Sequence, residues 1–278
     1  LSGYILVKYN WHYVFIIEGI ISLLLILVWL PLISDRPETA KWISKEEKDY
    51  LVERLREEQE CFDKKQVKKA TLKEILFNGT LWKLVLIFFF YQTGVYGYTL
   101  WLPTILKNLT KTGMDQVGFL SIFPYIATII GLFVFGSLSD KTRKKKRYVI
   151  MPIIGFAICL YLSVTFQHSI WLSFGMLVGC GFFLQAASAV FMTIPPDVFS
   201  GEVAGGATGI INALGNLGGF LGPFLVGFLM QTFSYNISIY SLVLSLVIAV
   251  IITITLPKEK DDCAHPIAAI NVENSENV

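Results

Sequence analysis

The sequence predicts an all-α integral membrane protein with seven transmembrane helices. Its 278 residues are 54% hydrophobic and 16% charged, with a mean hydropathy of +0.60, whereas soluble domains carry about 25% charged residues. Charged side chains are concentrated in segments 34–79, 140–147 and 257–278, which leaves long stretches almost without charge. This composition argues against a soluble enzyme. The net charge of +2 forms no basic stripe that would predict nucleic acid as a partner.

Seven apolar stretches reach the length of about 20 residues that a helix needs to cross a bilayer. They cover residues 13–33, 80–106, 117–139, 148–166, 170–194, 204–231 and 237–256. Lys and Arg are frequent in alternate connections, with eleven in 34–79 and six in 140–147. The positive-inside rule places these connections and the C-terminus in the cytoplasm. We therefore expect a multi-pass protein of the plasma membrane, with residues 1–10 outside.

The charged segment 34–79 has local order of its own. Ser44 with Glu47, and Thr71 with Glu74, have the spacing of capping boxes. The first predicts a helix to about residue 60, and the second a short helix at the membrane surface.

Because residue 1 is Leu and no leader-like segment precedes the first span, we expect further helices upstream. The expected domains are the end of an N-terminal helical bundle (1–33), a cytoplasmic central loop with amphipathic helices (34–79), a six-helix bundle (80–256) and a disordered cytoplasmic tail (257–278).

A Gly and an Asp precede the basic run that follows the third predicted span. The residues are Gly136, Asp140, Lys141 and Arg143, followed by 144–147. A Gly here allows close helix packing, and an Asp can bind the N-terminus of a neighbouring helix, so the contact could act in gating. The pattern resembles the signature of the major facilitator superfamily, Gly-x-x-x-Asp-Arg/Lys-x-Gly-Arg-Arg/Lys. It departs from that signature because the internal Gly is absent and Arg143 stands near its place.

Three further stretches resemble the anion:cation symporter family within that superfamily. Residues 11–19 with 35–44 are similar to its sixth helix and the following loop, 96–106 to its seventh helix, and 209–223 to its eleventh. The resemblance implies helix six plus the C-terminal six-helix bundle of a twelve-helix major facilitator fold. It also implies proton symport of sugar acids or other carboxylates such as tartrate, by alternating access. The N-terminal bundle, absent from this sequence, would then supply most of the charged site residues.

Polar side chains recur at helical spacing near the middle of four predicted spans. They are Gln92, Tyr96 and Thr99; Ser121, Tyr125 and Thr128; Gln185 and Ser188; and Thr208, Asn212 and Asn216. Because amides facing lipid are costly, the pattern predicts a central aqueous cavity. The expected substrate-binding residues are Asn212, Asn216, Tyr96, Gln92, Gln185, Ser188 and Tyr125. The alternative is that the amides join neighbouring helices by hydrogen bonds.

Two further features bear on packing and on coupling. Eight Gly in 204–231 predict close packing against neighbouring helices. Glu18 is the one ionisable side chain well inside a predicted span, which makes it a candidate for proton coupling. A structural hydrogen bond to an upstream helix is the alternative for Glu18. The four Cys and three His show no metal spacing and no nucleophile–base pattern, so no metal, cofactor or catalytic residue is expected.

Other functions compatible with seven spans are less well supported by the residues. An organophosphate exchanger or a sugar carrier of the same superfamily is the first alternative, but phosphate recognition calls for paired Arg, and no span carries such a pair. A heptahelical receptor is the second alternative, and the long charged connection after the first span argues against it. The expected partners are a small carboxylate, a proton, the lipid bilayer and the N-terminal helical bundle.

Overall fold

The computed structural model describes residue 5 and residues 10–34, 36–40, 42–65, 72–111, 113–142, 144–199 and 201–257. We number its helices from residue 11 onward, and a 3-10 turn at Pro37–Thr39 lies between the first two. The helices are α1 Trp11–Leu32, α2 Lys45–Lys65, α3 Leu72–Leu76, α4 Gly79–Thr110, α5 Met114–Thr142, α6 Lys145–Thr165, α7 Ile170–Leu184, α8 Ala186–Phe191, α9 Ile194–Val198, α10 Gly201–Gly215, α11 Gly218–Thr232 and α12 Tyr235–Ile254. The described part of the chain contains no β-strand, and the predicted all-α class is confirmed.

Within the described residues, seven helical segments are long and apolar enough to cross a membrane. They are Trp11–Leu30, Gly79–Thr110, Gln116–Thr142, Lys145–Thr165, Ile170–Val198, Val203–Thr232 and Tyr235–Ile254. Each coincides with one predicted span, so the predicted number of spans is confirmed. Some helices extend beyond the apolar stretch, because backbone hydrogen bonding continues through polar residues. The longest, α4, ends at Thr110. The next residue, Lys111, donates its N–H to the carbonyl of Lys107 and has a left-handed backbone (φ 55°), which ends the helix.

Helix α4 is the central helix of the bundle, with 61% of its membrane-spanning window buried. The Tyr98 hydroxyl donates to the carbonyl of Leu177 at 2.8 Å, and its ring packs edge-on against Phe156. The Tyr91 hydroxyl donates to the carbonyl of Leu184. Since the later tyrosine bonds the earlier residue of α7, the two helices are antiparallel. This agrees with the alternating directions expected for the second and fifth spans.

Glycines allow α11 to pack directly against the backbone of α4. A Cβ on Gly218 would lie 2.1 Å from the carbonyl oxygen of Phe89, and a Cβ on Gly222 would lie 2.1 Å from that of Thr93. Such distances are far below van der Waals contact, so only glycine fits at either position. The predicted close packing therefore holds for this half of the sixth span. In the other half, a Cβ on Gly215 would lie 2.4 Å from Phe88 Cδ1 of α4, whereas a Cβ on Gly209 meets no described atom within 4 Å.

Two of the predicted spans are interrupted near their middle rather than forming single helices. The span at 170–194 is interrupted at Gln185, between α7 and α8, and the span at 204–231 at Asn216 and Leu217, between α10 and α11. At the second interruption the N–H groups of Leu217, Gly219 and Phe220 bond carbonyls three residues earlier, which is the 3-10 pattern. Flanking glycines have low helix propensity, and this favours the interruption.

Lysine side chains hold several helix ends together at one end of the bundle. Lys145 Nζ lies 2.5 Å from Asp197 Oδ2 of α9 and donates to the carbonyl of Thr193. Lys146 Nζ donates to the carbonyls of Ile254 and Leu256, each at 2.7 Å. Lys83 of α4 does the same to the carbonyl of Thr255 at 3.1 Å. The end of α12 thus receives two cations where its helix dipole is negative.

The charged segment forms the helices that the capping boxes predict. Glu47 accepts from the N–H of Ser44 at 3.3 Å, and the Ser44 hydroxyl accepts from the N–H of Glu47 at 3.2 Å. Helix α2 continues to Lys65 rather than residue 60. In α3, Ile75 is buried and packs into the core of the bundle, so this helix is more than a surface segment. Thr71 and the tail from 258 onward lie outside the described residues.

Candidate functional site

Three amide side chains meet at the interruption between α10 and α11. Gln92 Nε2 donates to Asn216 Oδ1 at 2.9 Å. Asn216 Nδ2 donates to the backbone carbonyl of Asn212 at 2.9 Å and also to Asn212 Oδ1. Gln92 is 7% exposed, whereas Asn212 and Asn216 are exposed. We call these residues the amide chain. The structure thus brings together three of the seven predicted substrate-binding residues.

Tyr96 borders the amide chain one helical turn after Gln92. Its ring is 39% exposed and lies over Gly219 of α11, where a Cβ would come within 2.8 Å of Tyr96 Cδ2. Further along, Trp101 Nε1 donates to the carbonyl of Pro223 at 3.2 Å. Tyr96 precedes Trp101 in α4, and their contacts Gly219 and Pro223 follow the same order in α11, so these two helices are parallel. The absence of a side chain at Gly219 is what gives Tyr96 its place beside the amides.

An exposed stripe runs along α10 and α11 at steps of three or four residues. It consists of Gly205, Gly209, Asn212, Asn216, Phe220, Phe224 and Phe228. The three phenyl rings stack with centroid separations of 5.8 and 6.3 Å. The stripe therefore passes from glycines, through amides at mid-span, to stacked phenyl rings. The amides were predicted from the sequence. The phenyl rings were not, although their four-residue spacing was the available signal.

Gln185 and Ser188 lie at the other interruption and are half-buried. The backbone carbonyl of Leu184, next to Gln185, accepts a hydrogen bond from the Tyr91 hydroxyl. Tyr91 immediately precedes Gln92 in α4. Because Tyr91 and Gln92 are adjacent, the two interruptions lie at nearly the same depth of the bundle. Within the described residues, no hydrogen bond joins Gln185 or Ser188 to the amide chain. The structure therefore places these two predicted residues near α4 but apart from the amides.

The polar residues predicted on the third span divide between packing and exposure. Thr128 Oγ1 donates to the carbonyls of Pro124 and Gly181, both at 2.9 Å, so it joins α5 to α7. The Ser121 hydroxyl donates within its own helix. Tyr125 is 45% exposed. Of this set, Tyr125 is the side chain that remains open to a ligand.

The candidate gating and coupling residues lie outside this cluster. Gly136 is half-buried, and a Cβ there meets no described atom within 4 Å. Asp140 and Lys141 are exposed at the end of α5, and Arg143 lies outside the described residues. Glu18 is exposed on α1, and its backbone carbonyl accepts from the Ser22 hydroxyl at 2.9 Å. Among the described residues, no three His, Cys, Asp or Glu side chains are grouped to hold a metal ion.

Comparison with known proteins finds several similar transport proteins. The chain is 30% identical over 213 residues to the quinolone resistance transporter of Acinetobacter baumannii, covering 76% of this chain and 48% of that protein. It is 28% identical to the inner membrane transport protein RhmT of Escherichia coli, covering 75% and 47%. It is 29% identical to a protein of Agrobacterium vitis named "Putative tartrate transporter", again covering 75% and 47%. The chain spans about half the length of these curated relatives.

A family model agrees with these similarities. The Major Facilitator Superfamily model matches residues 1–114 and 105–270, which together include nearly the whole chain. The match includes all seven membrane-spanning segments and both interruptions. The chain therefore belongs to the major facilitator superfamily.

Proposed function

We propose that this chain forms the substrate-binding bundle of a secondary transporter for organic anions. The observation that supports this most directly is the exposed pair Asn212 and Asn216 at the middle of a membrane-spanning segment. An amide cannot face hydrocarbon without losing its hydrogen bonds, so this face adjoins water or a partner. Interrupted helices in transporters usually mark the substrate site near the midplane of the membrane.

The chemistry of the site favours a carboxylate with hydroxyl or ring groups. Asn212 and Asn216 offer N–H donors and carbonyl acceptors, and Tyr96 adds an apolar ring with a hydroxyl at its tip. Gln185, Ser188 and Tyr125 would extend the site toward α5 and the second interruption. The Agrobacterium vitis relative is named "Putative tartrate transporter", and tartrate is a hydroxylated carboxylate of this chemical class. The spans of this chain carry no Arg near mid-membrane, so the counter-charge for an anion would come from the other half of the transporter.

The proposed transporter has twelve helices, of which this chain supplies the sixth and the C-terminal six. The relatives are about twice as long as the matched segment, which leaves room for an N-terminal bundle of the same size. In alternating access, two such bundles rock about a site that lies between them. The exposed stripe on α10 and α11 would face that second bundle. The motif of Gly136, Asp140, Lys141 and Arg143 would close contacts at the cytoplasmic end.

Proton coupling is assigned to Glu18 as the candidate carrier. A carboxyl within a membrane-spanning helix changes its charge when it binds a proton, and a charge change can shift the balance between inward-open and outward-open states. The excess of Lys and Arg in 34–79 and 140–147 supports a plasma-membrane orientation with the C-terminus in the cytoplasm.

Uptake into proteoliposomes tests the proposal. The complete transporter, with its N-terminal bundle, should accumulate a labelled organic acid, such as tartrate or glucarate, faster when the outside is more acidic than the inside. Sugar phosphates and neutral sugars serve as competing substrates, and collapse of the gradient with a protonophore serves as the control. Uptake that ignores the proton gradient would contradict symport. Uptake of phosphate esters in preference to acids would favour the organophosphate exchanger.

A further inference from the structure

Gln92 is buried, unlike the two asparagines of the amide chain. It is 7% exposed and contacts the interruption between α10 and α11 through Asn216. Its Nε2 makes one hydrogen bond, to Asn216, and its Oε1 is buried without a partner among the described residues. A substrate on the stripe would touch Asn212 and Asn216 before it could reach Gln92. Any role of Gln92 in recognition therefore acts through these asparagines.

The direction of the amide chain is set on both sides of Asn216. Its Nδ2 lies 2.9 Å from the backbone carbonyl of Asn212, which can only accept a hydrogen bond. Asn216 Oδ1 is therefore turned toward Gln92, and it accepts from Gln92 Nε2 at 2.9 Å. This second hydrogen bond holds the Asn216 side chain in place and leaves Gln92 Oε1 without a partner among the described residues.

The same direction determines which group the chain presents at its exposed end. Asn212 Oδ1 already accepts from Asn216, so Asn212 Nδ2 is the group left to donate outward. Successive hydrogen bonds polarise one another, and donation by Gln92 strengthens donation further along the chain. A substrate at Asn212 is thus met by a donor, for which a carboxylate oxygen is the best acceptor.

We propose that Gln92 is a positioning residue that holds Asn216, and with it the amide chain, in this direction, and so adds to the selection of a carboxylate over the corresponding carboxamide. The inference rests on the proposed function, which it deepens by naming the group that is discriminated. A packing role for Gln92 explains less. A buried amide that uses one of its hydrogen-bonding groups and leaves another unpaired is a poor structural element, and an apolar side chain of similar length would fill the same space.

The experiment compares carboxylic acids with their own primary amides. Competition against labelled acid uptake in proteoliposomes, at one pH, gives the ratio of affinities for acid and amide. Gln92→Met keeps the length of the side chain but removes the donor, and it should lower this ratio about tenfold while the Tm of the protein stays unchanged or rises. Gln92→His keeps a ring N–H donor and should restore part of the ratio. Thr93→Val is the matched control, because Thr93 is buried beside Gln92 and bonds only its own helix, and the ratio should stay within about twofold of wild type.

The outcomes separate this inference from the proposed function. If the protein takes up acids normally and Gln92→Met leaves the ratio unchanged, the positioning role is wrong and the transporter proposal stands. An equal loss of acid and amide affinity, accompanied by a lower Tm, would also overturn the positioning role and make Gln92 a structural residue. If the complete wild-type transporter takes up no organic acid, both proposals are wrong.

Discussion

The two interrupted spans differ in what covers them. Between α7 and α8, the carbonyl of Leu184 is bonded by the buried hydroxyl of Tyr91, and the flanking residues are largely inside the protein. Between α10 and α11, Asn216 is exposed and its bonds are made by other amides. Both interruptions contact adjacent residues of α4. The difference lies in the side chain of α4 at each place. The Tyr91 hydroxyl bonds a backbone carbonyl directly, whereas the Gln92 amide bonds another side-chain amide, Asn216, which makes further hydrogen bonds of its own.

This comparison shows that an interrupted helix is not by itself a binding site. A membrane-spanning segment can interrupt its hydrogen bonds wherever another group satisfies the backbone. A ligand can use such a place only if hydrogen-bonding groups remain open to it. The first interruption is closed by Tyr91, and the second leaves Asn212 and Asn216 on an exposed face.

The largest effect is expected from breaking the contact that supports the open interruption. Gly218→Val would place side-chain atoms against the carbonyl of Phe89, where even a Cβ would lie at 2.1 Å. We expect a loss of about 3 kcal/mol or more of stability, because backbone cannot move aside as a side chain can. The measurement is the Tm and folded yield in detergent. Gly205→Val, at a position open in the structure, is the control, and equal losses in both variants would refute the packing argument.

Removing the phenol from the closed interruption should lower stability without changing substrate affinity. Tyr91→Phe leaves the carbonyl of Leu184 buried and unbonded, which costs about 1–3 kcal/mol. The free energy of unfolding and the KM for uptake are measured on the same preparation. Tyr161→Phe, on an exposed tyrosine, should change neither. A raised KM with unchanged stability would mean that Tyr91 contacts substrate.

At the open interruption the opposite pattern is expected. Asn212→Ala should weaken substrate affinity about tenfold, which is about 1.4 kcal/mol, since it removes the outward donor of the amide chain. Stability should change by less than about 0.5 kcal/mol, as for exposed positions in general. Gln231→Ala, also exposed near the end of α11, is the control for affinity. A fall in Tm with normal affinity would make the amides interhelical bonds only.

The smallest effect is expected from replacing Gln185. Gln185 is half-buried beside the closed interruption, so Gln185→Ala should alter affinity by less than about threefold. The measurement is the same competition assay that is used for Asn212→Ala. An effect as large as that of Asn212→Ala would show that both interruptions contribute to one site.

The sequence was sufficient to predict the seven spans, because each is a long apolar run and hydropathy averages over its whole length. The same averaging hides the interruptions at Gln185 and Asn216, since a single amide between apolar residues barely changes the mean. The glycines of 204–231, which include Gly218 and Gly222, correctly predicted that this span packs closely against a neighbouring helix. The facing residues on α4 were not predicted, because composition does not reveal which neighbour a glycine meets.

The sequence predicted which residues belong to the candidate site better than it predicted how they are arranged. Helical spacing placed Gln92 and Tyr96 on one face of a helix, yet in the structure Gln92 is buried and Tyr96 is partly exposed. Periodicity identifies residues that share a face but does not say how far a neighbouring helix covers it. The hydrogen bond between Gln92 and Asn216 joins residues 124 positions apart. Such a contact depends on the packing of whole helices.

The lysines at the end of the bundle have a consequence for limited proteolysis. Trypsin needs an accessible basic side chain in a segment that can unfold locally. Lys145 and Lys146 are engaged with α9 and α12, whereas Lys141 and Lys144 are exposed. Mild digestion should therefore cut just before α6 and spare the bonds after Lys145 and Lys146, and mass spectrometry of the fragments would locate the cut.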